Sequence, residues 1–242
     1  MPITTPTDSS RAAAAPSATP DFLQERLAEA ASYAVLLRIA PALRHDVAGF
    51  IQPVGMLVMV LQRRVQMPEP DMQAIAKNVM SVSALTKEAT TGCMNAMDWM
   101  ASREDTYVSL RAGADEVMHL LALELSGHGL STANDLAESM PRVPRPFFRS
   151  VLVSALLAWC DQKPGAGMLR INGSSDANES ELKMQFEVDG TALPADTVSP
   201  QRRIGWDDVE ALARACGATL SRGDGWLRLR LRHSLGDAAN SL

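Results

Sequence analysis

The residues LRHDVAGFIQPVGMLVMVL, positions 43–61, decide the fold. Leu43, Val47, Phe50, Val54, Leu57 and Leu61 follow one another at spacings of 4, 3, 4, 3 and 4, an a/d seam held for nearly three heptads. With Val47, Val54 and Leu61 at a and Leu43, Phe50 and Leu57 at d, His45 falls at f, pointing away from the seam, and Asp46 at g. The helical pattern extends from Pro20 to about Gln66 and stops at Met67-Pro68-Glu69-Pro70, because two prolines cannot continue a helix ladder. A second helix follows, with Met72, Ile75, Val79, Val82, Ala89, Cys93 and Met100 on one stripe, and ends near Ser102. Two long helices joined by a short turn make an antiparallel hairpin with one seam left uncovered. Two copies should therefore pair into a four-helix bundle, so the pattern predicts a homodimer.

Outward from the hairpin the grammar changes. Residues 1–20 carry Thr, Ser, Pro and Ala without periodicity and read as a disordered tail. The hairpin occupies 21–103, a second domain 104–234, and a flexible tail 235–242. In the second domain a helix is expected over 111–126, an apolar helix at VLVSALLAWC and strands at MLRINGS and LKMQFEVD. A helix over Asp207–Cys216 should be capped by Gly217, and strands at ATLSR and WLRLRLR close the unit around an SRGDG turn. Helices interleaved with antiparallel strands give an α+β fold class overall. Trp206 and Trp226 are expected in the core of this domain, His128 in a loop, and neither His119 nor His128 in a metal site.

Composition narrows the function classes. The chain has 242 residues, is 46% hydrophobic and 21% charged, and carries a formal charge of −5, which disfavours nucleic acid as a partner. Cys93, Cys160 and Cys216 lie far apart in an odd number, without disulfide or metal spacing. No apolar run is long enough for a membrane span, and the first residues lack the basic and apolar regions of a signal peptide. A cytoplasmic protein with no membrane partner is the expectation.

An exposed His followed by an acid on a bundle helix fits a phosphoryl carrier, although such a pair is also an ordinary surface feature. Neutral imidazole is a competent nucleophile, and the adjacent carboxylate can orient the ring and take its proton. The surface beside His45 is unusual for a solvent face: Gly49, Gln52, Met56, Met59, Val60 and Arg63 are mostly small, amide or apolar. Exposed apolar patches mark partner sites, and Met suits adaptable ones. The other reading is that the second domain covers this face.

The stretch LRHDVAGFIQPVGML resembles the phosphoacceptor motif of sensor histidine kinases and the related histidine phosphotransferases. The family's Pro usually stands five residues after the His. Here that position is Phe50, and Pro53 follows three residues later. The polar residue that many relatives use in dephosphorylation would be at Gly49. VSLRAGADEVMHLLALELSGHGLSTAND, FFRSVLVSALLAWCDQKPGAGMLRI, FEVDGTALPAD and IGWDDVEALARACGATLSRGDGWLRLRLR are similar, in order, to the parts of the kinase ATPase domain. The resemblance implies a dimeric four-helix bundle followed by a degenerate ATPase (Bergerat) α/β sandwich.

Departures from the family pattern bear on function. Ser154 and Ala158 stand where the resemblance implies the two Asn side chains that serve Mg²⁺ and phosphate, with Trp159 beside them. Asp189 is kept, but the spacing to Pro194 is one short and two glycines are gone; the later Gly-x-Gly loop has become Ile204-Gly205-Trp206-Asp207. Glycine is needed where backbone amides must approach phosphate. No cofactor is therefore expected: ATP should not bind, and Mg²⁺ has a place only on a receiver partner. The expected function is phosphate transfer through His45 and Asp46 between response-regulator receiver domains, which would dock on the face from Gly49 to Arg63. A divergent ATP-using kinase and a non-enzymatic dimeric adaptor are the alternatives.

Overall fold

The computed structural model describes residues 20–100, 106–162, 165–176, 178–188 and 202–232. Residues 1–19 of the expected tail at 1–20, the tail at 235–242, the junction at residue 103 and the loop with Asp189 and Pro194 lie outside the described residues; Pro20 already belongs to a helix. Helix α1 (Pro20–Val65) and helix α2 (Met72–Met100) form the antiparallel hairpin. The Asp71 carboxylate accepts the backbone N–H groups of Gln73 and Ala74, each at 3.0 Å, and so caps the start of α2. Along α1, Leu43 is buried and Val47, Phe50, Val54, Leu57 and Leu61 are half-buried.

The seam on α2 differs from the expected stripe. Ile75, Val82, Leu85, Ala89, Gly92 and Ala96 lose solvent, whereas Met72, Val79 and Met100 are 70%, 51% and 62% exposed. The reason is close approach. A Cβ on Gly92 would lie 2.3 Å from Phe50 Cδ2, so at this level of the hairpin small residues make the contact. Met72 and Val79 join Ile51, Val65, Met94 and Met97 as apolar side chains at the surface of the single chain.

The second half begins with strand β1 (Tyr107–Ser109), helix α3 (Leu110–Leu120), helix α4 (Ala122–Gly127) and strand β2 (Leu130–Asn134). The single helix expected over 111–126 is thus broken at Leu121, where Leu120, Leu121 and Leu125 are all buried. Strand β3 (Arg142–Pro144) pairs antiparallel with β1, Val108 opposite Val143. A wide π-helical segment, Phe147–Leu152, runs into helix α5 (Val153–Gln162). Strands β4 (Gly167–Ser175) and β5 (Glu179–Val188), helix α6 (Trp206–Ala215), and strands β6 (Ala218–Gly223) and β7 (Trp226–Arg232) complete the chain. The five-stranded sheet has the order β2-β4-β5-β7-β6, parallel only between β2 and β4. Gly217, at φ +67°, ends α6 as the sequence predicts.

Alternation along the strands puts Leu169, Ile171, Leu182, Met184, Leu227 and Leu229 into one core beneath the helices. Residues 151–160 are buried without a break, as an all-round apolar helix must be. Helix α1 has 46 residues against 29 in α2, and its N-terminal part packs elsewhere. Ala31, Val35 and Ile39 are buried in the same core as Val151, Leu157 and Leu212, so hairpin and α/β unit share apolar contacts. Trp206 is half-buried and packs against the core, as expected, beneath Arg222 at 5.0 Å; Trp226 is not a core residue and lies half-buried beneath Arg228 at 5.6 Å. The guanidinium groups cover the indole faces, which lets each ring remain partly wet. His128 is likewise no open loop residue: it is the buried C-cap of α4.

Candidate functional site

His45 stands on the outer face of α1, its side chain 68% exposed, and its Nδ1 lies 3.5 Å from Oδ1 of the half-buried Asp46. With the proton on Nδ1 the imidazole donates toward Asp46, and the lone pair of Nε2 is left for solvent or a reacting group. Pro53 lies inside the same helix and has no N–H to donate to the carbonyl of Gly49. Gly49, Gln52, Met56, Met59, Val60 and Arg63 are all exposed, Met56 by 54% and Met59 by 62%. The α/β unit therefore does not cover this face. Helical spacing brings these six residues onto the stripe that carries His45.

On the other side of His45 a cleft of about 750 Å³ opens between α1 and α4, lined by Arg38, Pro41, Ala42, His45, Leu123 and Glu124. Of these, the sequence singles out only His45. Arg38 has a side chain only 2% exposed; it donates to Glu124 and, through Nη2 and Nη1, to Asp161 Oδ1 at 2.9 Å and Oδ2 at 3.3 Å. His128 Nε2 lies 3.7 Å from Glu124 Oε1. His128, with Arg38 behind it and burial opposing, brings the Glu124 carboxyl down to about 2. The cue in the sequence is a single Arg within AVLLRIAPAL, a stretch otherwise fit for a core, since a charge placed there needs buried partners.

The segments likened by sequence to an ATP site are built as follows. Ser154 and Ala158 are wholly buried, and the Ser154 hydroxyl donates to Val151 O at 2.9 Å within its own helix. Trp159 stacks flat on Phe186, ring centroids 3.6 Å apart at 12°, between helix and sheet. In the Ile204-Gly205 loop the backbone donors are already engaged: Ile204 N–H donates to Asp161 Oδ2 at 2.8 Å and Gly205 N–H to Asp208 Oδ2 at 2.9 Å. Asp208 is buried and also accepts from Arg202 at 2.8 Å. The Asp208 carboxylate thus sits in the first turn of α6, where the helix dipole favours a negative charge. Among the described residues no group of three or more His, Cys, Asp and Glu could hold a metal ion, and no helix is long and apolar enough to cross a membrane.

Fold and site together define a long helical hairpin bearing an exposed His–Asp pair, joined to an α/β unit with one mixed five-stranded sheet. Solved structures similar to this chain include the histidine kinase AdeS of Acinetobacter baumannii, at 18% identity over 78% of this chain and 97% of that one, with a TM-score of 0.42. The histidine kinase ThkA, solved in complex with the response regulator protein TrrA, is 14% identical over 88% of this chain and 66% of its own, with a TM-score of 0.41. A bacterial phosphotransferase is 11% identical over 89% and 98%, at 0.38. No protein-family model and no curated protein matches the sequence.

Proposed function

We propose that this protein is a histidine phosphotransferase: His45 takes phosphate from an aspartyl phosphate on one receiver domain and yields it to the aspartate of another. The observation that carries the reading is the exposed imidazole, its Nδ1 directed to Asp46 and its Nε2 open on an uncovered, largely apolar helix face. Nε2 attacks phosphorus, the acyl-phosphate P–O bond breaks, and a P–N bond forms while the receiver's carboxylate leaves. Asp46 holds the Nδ1 proton and stabilises the imidazolium as it develops. Return of phosphate to a second receiver is the same step reversed. Any Mg²⁺ belongs to the receiver.

ATP has no part in this reading. The amides of Ile204 and Gly205 donate to Asp161 and Asp208, Ser154 and Ala158 lie in the core, and Trp159 stacks on Phe186; each supports a unit that has become a scaffold. The active form is a homodimer in which a second copy covers Ile51, Val65, Val79, Met94 and Met97, since a surface stripe of this kind is otherwise costly in water. The test incubates the protein separately with Mg-ATP and with a phosphorylated receiver. Label from the receiver alone is expected. Label from ATP would make the chain a kinase, and binding of receivers without any label would make it an adaptor.

A further inference from the structure

Resting on the phosphotransfer reading, we propose that Arg38 is a positioning residue for the reaction at His45: it fixes the α/β unit on the hairpin so that Leu123 of α4 and His45 face one receiver across a common cleft. Arg38 lies seven residues before His45, two helical turns away on the same stripe of α1. Among the described residues it is the one buried charged side chain of that helix. Its guanidinium binds Glu124 on α4 and both oxygens of Asp161 at the end of α5, and Asp161 also holds the N–H of Ile204. Three segments of the α/β unit are thus tied to one side chain of the hairpin.

Apolar contacts such as those of Ala31, Val35 and Ile39 bring the two parts together but do not fix their rotation. A planar fork of donors facing two carboxylates does, because each bond has a required direction. The consequence reaches the cleft through α4. Adjacent residues on a helix point about 100° apart, so drawing Glu124 inward onto Arg38 sets the direction of Leu123. Leu123 is 60% exposed and lines the cleft with His45. An exposed Leu held there offers a receiver a second contact at a set position relative to the imidazole.

Two phosphate donors separate positioning from chemistry. Phosphoramidate needs only the exposed imidazole: its P–N bond breaks, ammonia leaves and a P–N bond forms on His45. A phosphorylated receiver must also dock. Arg38→Met should keep phosphoramidate labelling within about twofold, while transfer from the receiver slows by roughly tenfold to a hundredfold, the scale of a misplaced reacting pair. Arg38→Lys, which keeps the charge but not the fork, should fall between. Leu123→Ala should slow the receiver reaction alone. Hydrogen exchange should quicken at 121–127 and 202–206 in Arg38→Met and stay protected at 43–61.

Unchanged receiver transfer in Arg38→Met, equal slowing with both donors, or unchanged exchange would each overturn the proposal. If Arg38→Met does not fold, Leu123→Ala decides, since an exposed side chain can be trimmed without loss of the fold; unchanged receiver transfer there overturns it as well. An unmutated protein labelled by neither donor overturns the phosphotransfer reading and this role together. That result is distinct from failure of Arg38 alone, in which the unmutated protein and Arg38→Met are labelled equally.

Discussion

Met59→Glu tests whether the face below His45 is a docking surface. Met59 is 62% exposed in the free chain, so the substitution should move the melting temperature little, by the roughly 0.5 kcal/mol typical of surface positions. The effect on receiver binding should be far larger. Fully burying a Met is worth about 1.5–3 kcal/mol, and somewhat over half of that side chain remains to be covered, so lost apolar contact costs about 1 kcal/mol. An unpaired carboxylate forced against an apolar partner adds about 2 kcal/mol or more. The sum of about 3 kcal/mol corresponds to a Kd weaker by about a hundredfold. Titration calorimetry with a purified receiver reads the affinity, and a thermal melt of each protein reads stability. Binding within about twofold of the unmutated protein would refute the docking face; the same loss of affinity with a collapsed melt would show that the side chain served the fold.

Val79→Glu should weaken the homodimer while leaving the hairpin formed, because Val79 is 51% exposed in the single chain; light scattering at several concentrations reads the change. Mg-ATP at millimolar concentration should leave the melting temperature unchanged, whereas a ligand at a hundredfold excess over its Kd would add about 2.7 kcal/mol. The Glu124 carboxyl is lowered from 4.5 to about 2 by His128 and Arg38, so its contribution is complete above pH 4.5 and is lost as pH falls toward 2. The loss amounts to at most roughly 3 kcal/mol, and Glu124→Gln should flatten the acid limb of the stability curve over that window, as followed by denaturant midpoints.

The hairpin was legible because a 4-3 spacing of large apolar residues fixes which side of α1 turns inward, and with it the exposure of His45. The α2 seam was read only in part because Gly92 and Ala96 make the contact through their lack of bulk, and a reading of large side chains passes over them. Strand β3 is only three residues long and contains Pro144, too little pattern to announce its pairing with β1. The buried network was hidden for a different reason. Arg38 meets Glu124 and Asp161 across 86 and 123 residues of sequence, and nothing in local spacing announces a contact of that range. Trp226 misled through size, since an indole covered by an arginine can sit at the rim.

The most direct measurement is to phosphorylate a receiver domain with acetyl phosphate, mix it with this protein without ATP, and map the label by mass spectrometry at alkaline pH, where phosphohistidine survives. The account predicts one acid-labile phosphate on His45, none in His45→Gln, and slower arrival at His45 in Asp46→Asn. Label on any other residue, or undiminished label in His45→Gln, would contradict it.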